Sequence, residues 1–220
     1  MQGGFPIDLI LFAMVAGFLV LRLRSVLGRR TGYERPTTPA APVPRGIEGE
    51  ANDLPPPPAA GSPRHVVPDA RAPAGQALAR IRDVDAGFDP QAFLGGAEGA
   101  FRMIVDAFAR GDRDTLRGLL SEDTYAGFEG AITAREAAQQ TQRTEIRAIH
   151  ELAIESADLR GDSADLTVRI VSDQVNLTSA ADGAPVSGAD AVTELTDLWT
   201  FQRDLRSADP TWKLVGTRSA

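Results

Sequence analysis

The chain has 220 residues, with 30 Asp plus Glu against 23 Lys plus Arg, two histidines and no cysteine. That length holds one ordinary domain with an appended segment, and the missing cysteine excludes disulfides, thiolate zinc sites and cysteine nucleophiles. A net charge of −7 argues against nucleic acid as the main partner, since phosphate recognition draws on clustered Lys and Arg; two histidines cannot build a histidine-rich metal centre.

Phe5 to Leu23 (F-P-I-D-L-I-L-F-A-M-V-A-G-F-L-V-L-R-L) is apolar except for Asp8 and Arg22. As a helix it spans about 28 Å, close to the ~30 Å of a bilayer's hydrocarbon core. A cleaved signal peptide would carry its positive charge ahead of the apolar run. Here no Lys or Arg precedes Leu21, whereas Arg22, Arg24, Arg29, Arg30 and Arg35 follow it. An interfacial helix would show a polar face, and Leu9 to Leu21 has none. The run 5–23 therefore reads as a single-pass anchor, followed by a basic flank over 24–30. The positive-inside rule puts Arg22 onward on the cytoplasmic side and the N-terminus outside. Arg22, Arg24, Arg29 and Arg30 are the candidate contacts to lipid headgroups.

Composition then shifts. Residues 31–76 include 11 prolines among 46 residues, with the run Pro55–Pro58. Such a stretch buries too little apolar surface to offset its ordering entropy and reads as a disordered linker with polyproline character. The run is a spacer or a ligand for a proline-recognising domain. Charge divides the same way: residues 1–76 hold 8 Arg and 6 acids (net +2), and residues 77–220 hold 15 Lys plus Arg and 24 acids (net −9).

Leu78, Ile81 and Val84 fall at helical spacing in a short amphipathic helix, 77–86. Asp89 and Pro90 are a good N-cap and first residue for a longer one, in which Phe93, Ala97, Phe101, Ile104 and Phe108 recur every three or four positions. Asp112 caps a helix with Leu116, Leu119 and Leu120 on one face, and Ser121 opens another with Tyr125, Phe128, Ile132 and Arg135. Gly95, Gly96, Gly99, Gly127 and Gly130 weaken these helices and read as sites of close helix packing rather than phosphate binding. From Thr144 the period becomes two. Ile146, Ala148, His150, Leu152 and Ile154 alternate, then Ala164, Leu166, Val168 and Ile170 after the Arg160-Gly161-Asp162 turn. Asp182-Gly183 is a second turn signal, strand 192–205 carries Trp199 and Phe201, and Ala208-Asp209-Pro210 leads to a last strand with Trp212 and Leu214. Helices followed by a four-stranded antiparallel meander make an α+β domain over 77–220, helices packed on a curved sheet with a pocket between the layers.

Several strings have a counterpart. Phe101-x-x-Ile104-x-x-Ala107-Phe108-x-x-Gly111-Asp112, Leu116-Arg117-x-Leu119-Leu120, Tyr125-x-x-Phe128-x-x-Ala131-Ile132 and Arg135-Glu136 lead to Asp197-Leu198-Trp199-Thr200-Phe201-x-Arg203 and Asp209-Pro210-x-Trp212-Lys213-Leu214. Together they resemble the C-terminal domain of subunit 44 of the translocase of the inner mitochondrial membrane, over about residues 78–217. The resemblance implies a nuclear transport factor 2-like (cystatin-like) fold and an adaptor at the cytoplasmic face of a bacterial inner membrane, assisting membrane-protein biogenesis, translocation or complex assembly. Its implied partners are inner-membrane proteins or their assembly intermediates. The candidate pocket is lined by Phe101, Ile104, Phe108, Trp199, Phe201 and Trp212 and would take a lipid or acyl chain.

An enzyme is the competing class, because related folds host isomerases and dehydratases. Its candidate groups are His150, in register with the apolar face of its strand, with Asp165 on the polar face and Asp197 able to pair with Arg203. No carboxylate dyad, Ser-His-Asp set or phosphate loop accompanies them, so the expectation is a binding domain without catalytic residues, cofactor or metal. Changing Arg22, Arg24, Arg29 and Arg30 together to Glu should invert or abolish membrane insertion, read by protease protection in intact cells and spheroplasts. Unchanged topology would refute both the orientation and the headgroup contact.

Overall fold

The structure is a computed structural model that describes residues 62–219. The run 5–23, the arginines that flank it and most of the proline-rich stretch lie outside the described residues. Among the described residues no helix is long and apolar enough to cross a membrane.

In chain order the elements are β1 (Arg64–Val66), α1 (Pro73–Val84), α2 (Pro90–Arg110), α3 (Arg113–Leu119), α4 (Glu122–Ala137), β2 (Thr141–Arg160), β3 (Ser163–Ser179), β4 (Pro185–Asp204) and β5 (Lys213–Ser219). The sheet runs β1-β2-β3-β4-β5. The expected meander is present as β2 to β5, antiparallel throughout, and β1 adds a parallel edge strand beside β2. The fold is α+β.

Order begins earlier than position 77. Both β1 and the first turn of α1 fall in the stretch read as linker. Pro73 there is a helix start, where its missing N–H costs nothing. Gly75 permits a close approach: an added Cβ would sit 2.0 Å from the Asp69 carbonyl oxygen. Arg64 secures β1 by pairing with Glu151 on β2.

The helix boundaries follow local chemistry. The Asp89 carboxylate accepts from the Gln91 N–H at 2.9 Å, Asp112 from Thr115 at 3.1 Å and Ser121 from Thr124 at 3.4 Å. Gly111 ends α2 in the left-handed region at φ 72°, which a side chain would strain. On α2, Phe93, Leu94, Ala97, Phe101, Ile104 and Ala107 are buried and meet Leu166, Val168, Ile170, Trp199 and Phe201 of the sheet in one core. The Ser121 N–H donates to the Leu214 carbonyl at 2.9 Å and ties the helical layer to β5.

Two readings of the sequence are corrected. Strand β2 carries bulges at Ile146/Ala148, Ile149/Glu151 and Ile154/Ser156. The second makes His150 the extra residue between Ile149 and Glu151, so strict alternation fails and its side chain is 46% exposed rather than on the apolar face. The helical glycines also have a different meaning. A Cβ added at Gly95, Gly96, Gly99, Gly127 or Gly130 meets nothing within 4 Å, so they do not serve close packing. Gly127 and Gly130 are exposed on α4, where alanine gains helix propensity without a clash. Gly127→Ala and Gly130→Ala should each stabilise the protein by up to ~1 kcal/mol, measured by urea unfolding. A loss of stability would mean that these positions are packed in solution.

Candidate functional site: two clefts beside an aromatic seam

Four aromatic side chains join α2 to β4. Phe93 meets Phe201 edge-on at 6.0 Å between ring centroids, and Phe101 meets Trp199 edge-on at 4.8 Å. This seam fills the middle of the layer and leaves a cleft on each side. The six residues expected to line one pocket are therefore divided. Phe201 and Trp212 line the first cleft, whereas Phe101, Ile104, Phe108 and Trp199 line the second.

The first cleft encloses about 360 Å³ and is mainly apolar, with Phe88, Phe93, Ala97, Met103, Phe201 and Trp212 on its walls. Phe88 sits just before the Asp89 cap and packs on Phe93, four residues past it, at 6.3 Å. That is a hydrophobic staple, a signal present in the sequence. Trp212 closes on both rings, at 5.9 Å from Phe88 and 4.9 Å from Phe93. The turn before it is fixed by Asp209, which accepts from the Thr211 N–H at 2.9 Å. Thr211 hydrogen bonds, aided by Lys213 and Arg203, hold the Asp209 carboxyl below the usual carboxylate range.

Arg203 borders this cleft. Its Nη2 donates to Asp85 at 2.9 Å, and its guanidinium lies 5.8 Å from the Trp212 ring centroid. The Arg203 Nε is buried and has no hydrogen-bond partner. Arg203 is thus tied to the end of α1 and not to Asp197, which lines the other cleft; the expected pair between them does not form. Gly96 also faces the first cleft, and its missing side chain leaves open space there.

The second cleft, about 380 Å³, has one apolar and one polar wall. Gln174, only 4% exposed, donates from Nε2 to Ser172 Oγ at 3.0 Å and accepts from Asn176 at 3.2 Å. Asp197 lies beside this ladder. Burial raises its pKa above the ordinary value, opposed by the Gln174 and Ser219 side chains, which favour the ionised form. Neither of the other acid–base candidates lies here. His150 contacts Asp173 at 2.9 Å and lines neither of these two clefts. Asp165 accepts from Gln202 at 2.7 Å and pairs with Arg160. Sequence periodicity found the apolar walls but missed Phe88 and Gln174. Gln174 carries no local signal, because its burial depends on the two strands that flank β3 and on the helical layer.

These elements define the class: an α+β domain with a helical layer on a mostly antiparallel five-stranded sheet and clefts between the layers. The Tim44-like domain profile matches residues 74–219. The chain belongs to that family. No curated protein sequence matches it. Among solved structures it is similar to the intermembrane space region of the chloroplast protein ARC6, at 11% identity over 56% of this chain and 93% of that one, with a TM-score of 0.43. It is also similar to a protein assigned as an NTF2-like family dehydratase from Streptomyces avermitilis, at 13% identity over 60% and 96%, with a TM-score of 0.36.

The position of Asp197 has a measurable consequence. A carboxyl with a raised folded-state pKa binds its proton more tightly than in the unfolded chain. Its contribution is complete below the unfolded value, near 3.8, and is lost as pH rises through the raised value. Asp197→Asn keeps the shape and removes the ionisation, so the variant should melt above wild type at pH 7, with the gap closing in acid. A gap that is constant with pH would show that the buried charge is not its cause.

Proposed function

We propose that this chain is a membrane-tethered adaptor whose Tim44-like domain holds an apolar segment of an inner-membrane client or assembly partner in the first cleft. The domain acts by binding rather than by catalysis, at the cytoplasmic face, in translocation, membrane-protein biogenesis or complex assembly. Family membership supports the coarse reading. The observation that carries the finer one is the open aromatic cleft of Phe88, Phe93, Phe201 and Trp212. Such rings supply large contact area at low entropic cost, and Trp is enriched among residues that dominate binding energy. Beside them, Arg203 sets a guanidinium at the border of an apolar slot.

A second reading is a small-molecule or lipid site in the second cleft. The amphipathic lining around Asp197 favours it, for a ligand with an apolar body and a hydrogen-bonding head.

The test is crosslinking of the full-length chain in intact cells, followed by purification in mild detergent and identification of the captured proteins. Trp212→Ala should reduce partner recovery on the order of tenfold or more, with melting curves checked in parallel. Deleting residues 1–61, which spares β1, should abolish recovery. Recovery unaffected by Trp212→Ala would place the contact elsewhere. An empty profile for the wild type, with a lipid or metabolite retained in native mass spectrometry, would favour the second reading.

A further inference from the structure

The sheet face opposite the helices carries an arrangement that neither cleft uses. Gln174 lines the second cleft on the helical side, so its strand neighbour Asp173 points to the other face. Asp173 stands directly across from Glu194 on β4. Like charges in that position destabilise a strand pair. Several other acids of the sheet are matched by arginines: Glu145 with Arg143 and Arg147, Glu151 with Arg64 and Arg169, Asp165 with Arg160. Among the described residues, Asp173 and Glu194 have no arginine or lysine partner.

What stands beside them is His150, the extra residue of the β2 bulge, with Nε2 2.9 Å from Asp173 Oδ2. The bulge aims this imidazole at the two carboxylates. Each of the three residues offers a ligand atom within 4.8 Å of the others. Three donors around an ion at about 2.1 Å lie about 3.4 Å apart in a tetrahedral site, so small side-chain rotations complete the geometry. The three come from adjacent strands of one sheet, a rigid frame.

We propose that His150, Asp173 and Glu194 form a binding site for a divalent transition-metal ion. One imidazole and two carboxylates suit Zn²⁺ and are a poor match to the all-oxygen preference of Mg²⁺ or Ca²⁺. The ion takes the place of the proton between His150 and Asp173 and neutralises the facing carboxylates. A three-ligand set leaves a position open to water or to a donor from a bound partner. A count of two histidines argues against a histidine-rich centre, but not against one imidazole completed by acids distant in sequence. The proposal is independent of the adaptor reading.

The experiment uses the full-length chain in mild detergent, stripped with chelator. Zn²⁺ is titrated by calorimetry, and Co²⁺ binding is followed by visible absorption. One ion per chain is expected, with a rise in melting temperature on adding Zn²⁺. His150→Ala and Glu194→Gln should each weaken binding by about tenfold or more. His65→Ala, at the other histidine, which lies 3.5 Å from Glu98, should bind as wild type does. Equal binding by His150→Ala and Glu194→Gln, a loss that follows His65 instead, or no binding by the wild type would overturn the site. His150 and Glu194 are exposed, so both metal-free variants should fold, with Glu194→Gln melting at or above the wild type because it removes the facing like charge.

Discussion

The structure depends on the edge-on contact of two rings from α2 with two from β4. Phe93 with Phe201 and Phe101 with Trp199 meet at interplanar angles of 84° and 69°, the arrangement that aligns ring edge with ring face. Removing a buried Phe or Trp typically costs about 3–5 kcal/mol, a large part of the stability of a domain this size. The two periods must agree for the contacts to form together. Residues 93 and 101 are about two helical turns apart, while 199 and 201 are one strand repeat apart, so α2 crosses the sheet rather than following β4. The cap at Asp89 and the left-handed turn at Gly111 hold the helix to the length that keeps these rings in place. Both clefts are what this crossing leaves unfilled.

What could be read from sequence was whatever local chemistry determines. The caps at Asp89, Asp112 and Ser121 are short-range hydrogen bonds and appear where their residue types stand. The meander followed from period-two burial, clean in β3, where Ala164, Leu166, Val168 and Ile170 are all fully buried. Long-range facts were not legible. Strand β1 is three residues in a proline-rich context, ordered by a partner 87 positions away. The bulge at His150 changes no composition, yet it moves a side chain to the opposite face. The apolar residues of the expected pocket are core or cleft-wall residues, but their division between two clefts depends on ring placement across the seam. Phe88 is the instructive miss: its offset from Phe93 across a helix cap was visible, and only the turn-like Gly87 beside it hid it.

Arginines do much of the joining. Arg135 on α4 donates to the Phe108 and Ala109 carbonyls at 2.8 and 3.2 Å and lies over the Phe108 ring. It thereby satisfies carbonyls that the end of α2 leaves free. Burial lowers its pKa, though a guanidinium remains charged at any physiological pH. Arg113 joins α3 to α4 through Glu136, whose carboxyl its hydrogen bond holds below the usual range. Arg203 joins β4 to the end of α1. With these cations committed to internal partners and 24 acids against 15 Lys plus Arg over residues 77–220, the domain presents an acidic exterior.

The order of strands separates the edge at which the described chain begins from the aromatic cleft. The described chain enters the sheet at β1, on one edge, whereas the first cleft is walled by β4, the segment before β5 and α2. Two strands separate β1 from β4, about 14 Å at the usual inter-strand spacing. The β1 edge and the aromatic cleft therefore do not share a surface. The same order of strands explains why the cleft is apolar and open where the edge is polar: β1 is held at its edge by the Arg64–Glu151 pair, while the aromatic rings of α2, β4 and the segment before β5 face one another across the cleft.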